Sequence, residues 1–97
     1  MKALTGKQVR YLRGLGHHLQ PVVMVGKEEI NDALLESLEE ALTHHELIKV
    51  RIQEGCLLDR HQVAEQLSQA AGCAVAQVLG RTLLLYRPSE QQRIELP

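Results

Sequence analysis

A helical pattern followed by a short apolar run occupies the first quarter of the chain. Thr5 is a favoured N-cap residue and predicts a first helix that runs to about Leu15. Two glycines end that helix, and its expected apolar anchors are Leu4, Leu12 and Leu15. The run Pro21–Val25 is nearly all apolar and is closed by Gly26, which predicts a strand buried in a sheet.

The middle of the chain repeats the change from helical to strand period. Asn31 predicts the cap of a second helix that ends near His44. The expected buried stripe of this helix is Leu34, Leu38, Ala41 and Leu42. In the segment Leu47–Gln53, apolar residues alternate with Lys49 and Arg51, which predicts a strand with one buried face and one basic, solvated face.

The last third of the chain predicts a helix and a hairpin. Asp59 and Gln62 have the spacing of a capping box, and the helix that they begin ends at Gly72. Two apolar runs separated by a two-residue turn then predict a hairpin. The strands of this hairpin are Ala74–Leu79 and Thr82–Tyr86, joined by Gly80 and Arg81.

The predicted element order is therefore α-β-α-β-α-β-β. Strands joined through helices run parallel, so the first three strands should be parallel and the last antiparallel to its neighbour. The expected fold class is a two-layer α+β or α/β arrangement with a four-stranded mixed sheet. A chain of 97 residues, 44% of them hydrophobic, suffices for one core, which predicts a single domain over residues 1–97.

Composition narrows the cellular setting and the binding chemistry. The sequence shows neither a leader pattern nor an apolar run of about 20 residues, so we expect a cytoplasmic protein with no membrane partner. Cys56 and Cys73 are then expected to be free thiols. Phe and Trp are absent and only two Tyr are present, so base stacking on an aromatic platform is poorly supplied.

Charge is strongly segregated although the formal net charge is only −1. The segment from Met1 to Lys27 contains five basic residues and no acid, whereas the segment from Glu28 to Glu46 contains seven acids and no Lys or Arg. The remainder is mixed. This pattern predicts a molecule with a basic side and an acidic side.

The most enzyme-like cluster is His44-His45-Glu46, since imidazole and carboxylate can share proton transfer. Its spacing identifies no nucleophile, and a histidine at the end of a helix is favourable to the helix dipole, so a structural role is favoured. The Cys and His spacings match no zinc site, and no nucleotide-binding or acyl-transfer motif is present. We therefore expect no catalytic residue, no metal and no cofactor.

Gly26 and Lys27 lie between a predicted strand and a predicted helix. Free backbone N–H groups and a lysine at such a turn can hold phosphate, although a glycine there is usually only conformational. Together with the basic first helix and second strand, this turn predicts a track for a phosphate backbone. The residues assigned to that track are Lys7, Arg10, Arg13, Gly26, Lys27, Lys49 and Arg51.

Three segments carry a family resemblance: YLRGLGHHLQPVVMVG, ALTHHELIKV and VLGRTLLLYRP. In this order and spacing they closely resemble YhbY proteins, the stand-alone bacterial form of the CRM (chloroplast RNA splicing and ribosome maturation) domain. The resemblance runs from about Leu4 to Pro97. It implies a fold like the C-terminal domain of bacterial translation initiation factor three, RNA binding without catalysis, and association with precursors of the large ribosomal subunit.

The family also carries a GxxG loop after the first strand, likened to the backbone clamp of KH domains. In this chain the loop is Gly26-Lys27-Glu28-Glu29. Glu29 thus replaces the second glycine and adds a Cβ and a negative charge where a phosphate would approach. Either this loop binds differently, or its contribution is reduced.

Three functions can be compared on this basis. The first hypothesis is an RNA-binding protein, with ribosomal RNA of the precursor large (50S) subunit as partner and ribosome assembly as its role. The alternative is a protein-interaction module whose acidic second helix docks a basic ribosomal protein. An enzyme that uses the His-His-Glu cluster is the weakest hypothesis. We expect a monomer without a small-molecule substrate.

Overall fold

A computed structural model describes residues 3–97 and contains every predicted element. The helices are α1 (Gly6–Gly16), α2 (Asp32–His45) and α3 (Arg60–Ala71), and the strands are β1 (Pro21–Val25), β2 (Leu47–Ile52), β3 (Ala74–Leu79) and β4 (Thr82–Tyr86). Lys2, which belongs to the basic N-terminal segment, lies outside the described residues. Over residues 3–97, no helix has the length and apolar character needed to cross a membrane.

The four strands form one mixed sheet in the order β1-β2-β4-β3. Strand β1 is parallel to β2, and β4 is antiparallel to both β2 and β3. The first three strands therefore share one direction, and β4 folds back between β2 and β3. This arrangement confirms the predicted fold class, element order and strand directions.

Local signals in the sequence explain where the helices begin and end. The Thr5 hydroxyl accepts a hydrogen bond from the Gln8 backbone N–H, and the Gln8 side chain accepts one from the Thr5 N–H, both at 3.1 Å. Asp59 and Gln62 form the predicted capping box at α3. Gly72 ends α3 in the left-handed region with φ of 63°, which glycine adopts at little cost.

Helices α2 and α3 cover one face of the sheet. Alternate strand residues point to that face and meet the apolar stripes of both helices. The main core contains Val23, Val25, Leu38, Leu42, Ile48, Val50, Ile52, Val63, Leu67, Leu83 and Leu85. Full burial of one such side chain contributes about 1.5–3 kcal/mol, so the many side chains of this core make a large contribution to stability.

Helix α1 lies on the other face, which we call the α1 face, and Ile94 and Leu96 of the C-terminal tail pack there with it. A second buried cluster there consists of Leu12, Leu47, Ala76, Leu84 and Tyr86. Gly16 brings α1 close to the sheet, because a Cβ at this position would lie 2.7 Å from Leu84 Cδ1. Helix α1 thus partly covers the second face of the sheet. The sequence predicted the helix but did not indicate which face it would cover.

Two predictions about burial were wrong. Leu15 was expected to anchor the first helix, but its side chain is 42% exposed because α1 meets the sheet through Leu12 and Gly16. Strand β1 was expected to be buried, but among the described strands it pairs only with β2 and lies at the sheet edge. Val22 and Met24 are consequently exposed.

Candidate nucleic-acid interface

Helix α1 presents three cations to solvent. Leu12 anchors the helix to the sheet, and Lys7, Arg10 and Arg13 lie on its exposed surface. Arg13 also contacts the sheet, since its Nε donates a hydrogen bond to the carbonyl oxygen of Ala76 at 3.2 Å. One end of the helix surface is thereby fixed beside strand β3.

Two cations of β2 point to the same face. Val50 and Ile52 point into the main core, so Lys49 and Arg51, which alternate with them, point to the α1 face. The Nζ of half-buried Lys49 donates a hydrogen bond to the carbonyl oxygen of His17, at the C-terminal end of α1, at 3.5 Å. Arg51 lies two residues farther along the strand and is exposed. The α1 and β2 cations therefore share one face of the sheet.

The loop Gly26-Lys27-Glu28-Glu29 follows the end of β1, two residues beyond Met24, which lies opposite Arg51 of β2. Gly26 is closely approached by Gln53, whose Oε1 would lie 2.5 Å from a Cβ at this position. The loop borders a shallow cavity of about 420 Å³, which is also lined by Met24, Gln53 and the first half of α2. Lys27 thus lies between the end of β1 and the acidic helix α2.

Glu29 occupies the position that the family pattern gives to glycine, and its backbone behaves accordingly. Its φ is 58°, and its N–H donates a hydrogen bond to the Gly26 carbonyl oxygen at 2.9 Å. Glu28 accepts a hydrogen bond from the Asn31 Nδ2 at 3.3 Å, while the Asn31 Oδ1 caps α2 by accepting from the Leu34 N–H at 2.8 Å. The turn therefore keeps a glycine-like conformation although it carries two carboxylates.

The acidic residues of α2 lie on the opposite side of the sheet from α1. Glu36 and Glu40 lie on the exposed surface of α2, the helix that packs against the other face of the sheet. Between residues 3 and 97 the only ion pair joins Arg87 and Glu39, at 2.7 Å. The hydrogen bond from Arg87 lowers the pKa of Glu39. The cations of α1 and β2 therefore form no ion pair with a described carboxylate.

The His44-His45-Glu46 cluster ends helix α2, and Glu46 is fully buried. Its carboxylate accepts hydrogen bonds from the backbone N–H groups of Arg93 and Ile94, at 2.9 and 3.0 Å, and from the hydroxyl and N–H of Ser89. Burial alone raises the pKa of Glu46, but these hydrogen bonds outweigh it and lower the pKa to about 2. Glu46 thus holds the C-terminal tail in place and has a structural role.

The sequence did not identify the apolar part of this surface. Met24 and Leu79 are both exposed on the α1 face, where they flank Arg51 and Thr82 across the four strands. Met24 belongs to a run that predicts a buried strand, and Leu79 to an apolar run that predicts a hairpin strand. Only the strand order could have revealed that both runs lie at sheet edges.

Comparisons with known proteins identify the family of this chain. The family model described as the CRS1 / YhbY (CRM) domain matches residues 4–87. The Bacillus subtilis protein YqeI is 44% identical over 97% of this chain and 99% of its own length, and a Haemophilus influenzae protein is 40% identical over 100% and 98%. Both of these proteins carry the words RNA-binding protein in their names.

A solved structure gives the same result for the fold. The solution structure of protein SAV1595 from Staphylococcus aureus superposes with a TM-score of 0.82 at 41% sequence identity. The match covers 97% of this chain and 99% of that one. The similarity therefore extends over the whole architecture, including the helix that forms the α1 face.

Proposed function

The chain belongs to the CRS1/YhbY (CRM) domain family, and from that premise we propose that it binds RNA without catalysing a reaction on it. One structural observation carries the proposal. The cations of α1 and β2 lie on one face of the sheet, outside any described ion pair, while the exposed carboxylates of α2 lie behind the other face. The names of the two similar bacterial proteins support the same function.

Electrostatics explain how a chain with a net charge of −1 can bind a polyanion. Phosphate contacts depend on local cations, and screening limits the influence of distant carboxylates to about 10 Å at 0.1 M salt. Lys7 and Arg10 belong to helix α1, and Lys49 and Arg51 belong to strand β2, so the cations are carried by regular, relatively rigid elements. The two sides of the domain would then orient it on the RNA, with α2 turned away from the phosphates.

We propose further that the RNA is ribosomal RNA of the precursor large subunit, and that the protein assists its assembly in the cytoplasm. This part of the proposal is supported by the resemblance of three sequence segments to the bacterial stand-alone CRM proteins. Cosedimentation with precursor particles tests it. The protein should leave those fractions when Arg10 and Arg13 are changed to Glu, and its presence in mature-subunit fractions alone would contradict the assembly role.

Charge reversal on α1 tests RNA binding itself. Arg10→Glu should weaken binding of a fluorescein-labelled fragment of large-subunit ribosomal RNA about tenfold, equal to about 1.4 kcal/mol. It should also reduce the slope of log Kd against log salt by about 1, since one phosphate contact is lost. Arg60→Glu is the matched control, because it makes the same charge change at the start of α3. Equal losses in both variants would show that only net charge matters and would contradict the proposed site.

A second function has some support from the exposed acids of α2. Glu36 and Glu40 are available to bind a basic ribosomal protein, whereas Glu39 already pairs with Arg87. The sharper test therefore neutralises Glu36 and Glu40 and leaves Glu39 in place. A ribosomal protein that is retained after nuclease treatment, and is lost from the Glu36→Gln, Glu40→Gln variant, would favour this function over RNA binding.

A further inference from the structure

Strand pairing places four side chains in one row across the whole sheet. Met24 lies opposite Arg51, Arg51 opposite Thr82, and Thr82 opposite Leu79. Their chain neighbours, which include Val25, Ile52 and Leu83, belong to the main core on the other face. Because successive strand residues point to opposite faces, all four side chains of the row point to the α1 face.

The row is open to solvent. Helix α1 ends at Gly16, which lies against Leu84. Leu84 is two residues after Thr82 on β4, so the helix ends before it reaches the row. Met24 is 46% exposed and Leu79 67% exposed, and Arg51 is also exposed. With adjacent strands about 4.8 Å apart, the row spans roughly 14 Å. Two large apolar side chains thus stand at the ends of a solvent-exposed row with a cation between them.

We infer that this row is a subsite for unpaired bases, so that the RNA taken by the α1 face is single-stranded along this row. The inference rests on the proposed RNA binding and specifies its substrate class. Apolar side chains gain by contact with the flat faces of bases, and a duplex hides those faces by stacking while it exposes phosphates. Phosphate contacts alone make no use of the apolar side chains of Met24 and Leu79.

Arg51 suits either part of a single strand. Its planar guanidinium can stack on a base or form two hydrogen bonds with a phosphate, and it is free of any described ion pair. In the RRM, one face of a four-stranded sheet binds two or three bases through aromatic side chains. Here Met24 and Leu79 would provide aliphatic contacts from the two edge strands, which are weaker than aromatic stacking.

A second copy of the chain is the competing occupant of this row. A two-fold dimer through the α1 face would bring Arg51 and Lys49 toward the same cations of the partner. Like charges brought together in this way oppose association, whereas a polyanion is complementary to them. Charge therefore favours a nucleic-acid strand over self-association.

Removal of the apolar ends of the row tests the inference. We compare binding of a labelled 12-nucleotide single-stranded RNA with binding of the same sequence as a blunt duplex. Met24→Ser with Leu79→Ser should weaken binding of the single strand about fivefold and that of the duplex less than about twofold. Leu57→Ser, in a loop where the side chain is 88% exposed, is the matched control and should bind like the parent.

Three other outcomes would overturn the inference, and each can be recognised. If Arg10→Glu weakens binding while the serine variant binds both RNAs like the parent, the row is no subsite and the proposed RNA binding stands. If the parent binds neither RNA, both proposals fail. A parent that sediments as a dimer, and becomes monomeric on serine substitution, assigns the row to self-association. Should the double variant not fold, Leu79→Ser alone repeats the comparison, with the same selective loss expected for the single strand.

Discussion

The Glu46 carboxylate lies 2.9 Å from the backbone nitrogen of Arg93, 47 residues farther along the chain, and accepts a hydrogen bond from it. This contact joins the end of helix α2 to the C-terminal tail. The tail in turn places Ile94 and Leu96 against the cluster under α1. The buried carboxylate therefore supports the α1 face from a distance.

Replacement of this carboxylate should loosen the tail. Glu46→Gln exchanges one acceptor oxygen for an amide donor that faces backbone N–H groups, so we expect a loss of about 3 kcal/mol in the free energy of unfolding. Hydrogen exchange of the amides of residues 89–94 should also accelerate. Urea denaturation measures the free energy of unfolding. The control Glu40→Gln, on the exposed surface of α2, should change this free energy by less than about 0.5 kcal/mol. A Glu46→Gln variant as stable as Glu40→Gln would contradict the assigned role.

Acid should destabilise the protein through the same residue. The pKa of Glu46 is lowered to about 2 in the folded protein, whereas the pKa of a glutamate in an unfolded chain is about 4.3. The stabilisation is therefore fully present above the unfolded pKa and is lost as the pH falls from about 5 to about 2. Unfolding measured across this range should show a steeper fall for the parent than for Glu46→Gln, and parallel curves would refute this assignment.

Glu29 provides a test of backbone strain in the loop after β1. Its φ of 58° lies in the left-handed region, which costs a residue with a Cβ roughly 1–2 kcal/mol. Part of the gain from glycine is lost to the entropy of the unfolded chain, so Glu29→Gly should stabilise by about 1 kcal/mol or less. Glu29→Ala removes the carboxylate but keeps the Cβ and should not gain stability. Equal unfolding free energies for the two variants would show that strain is absent.

Gly14 and Gly16 of α1 should respond oppositely to alanine. A Cβ at Gly16 would meet the Leu84 side chain at 2.7 Å, so Gly16→Ala should destabilise by about 1–3 kcal/mol. Gly14 has no neighbour within 4 Å of such a Cβ, and Gly14→Ala should stabilise the helix by up to about 1 kcal/mol. Thermal unfolding of both variants checks these two predictions. A Gly16→Ala protein as stable as the parent would mean that α1 does not need to lie this close to Leu84.

Features that depend on neighbours in the chain could be predicted from the sequence. Thr5, Asn31 and Asp59 cap their helices because a side-chain oxygen reaches a backbone N–H only two or three residues away. The basic face of β2 was predicted by the alternation of Lys49 and Arg51 with apolar residues, since strand side chains point to opposite faces in turn.

Features that depend on distant contacts could not be predicted in this way. The place of β4 between β2 and β3 decides that β1 and β3 are edge strands, and this order exposes Met24 and Leu79. An apolar run has the same pattern at an edge as in the centre of a sheet. The role of Glu46 likewise depends on a tail more than 40 residues away, which no local pattern reports.

The most direct test of RNA binding by the α1 face is an NMR titration of the ¹⁵N-labelled chain with the single-stranded 12-nucleotide RNA. The largest shift changes should fall on the backbone amides of Arg10, Met24 and Arg51, and they should reverse as salt is raised. The amides of Glu36 and Glu40 in α2 should remain unchanged. Shifts that concentrate on α2 instead, or spread evenly over both sides of the sheet, would contradict the account.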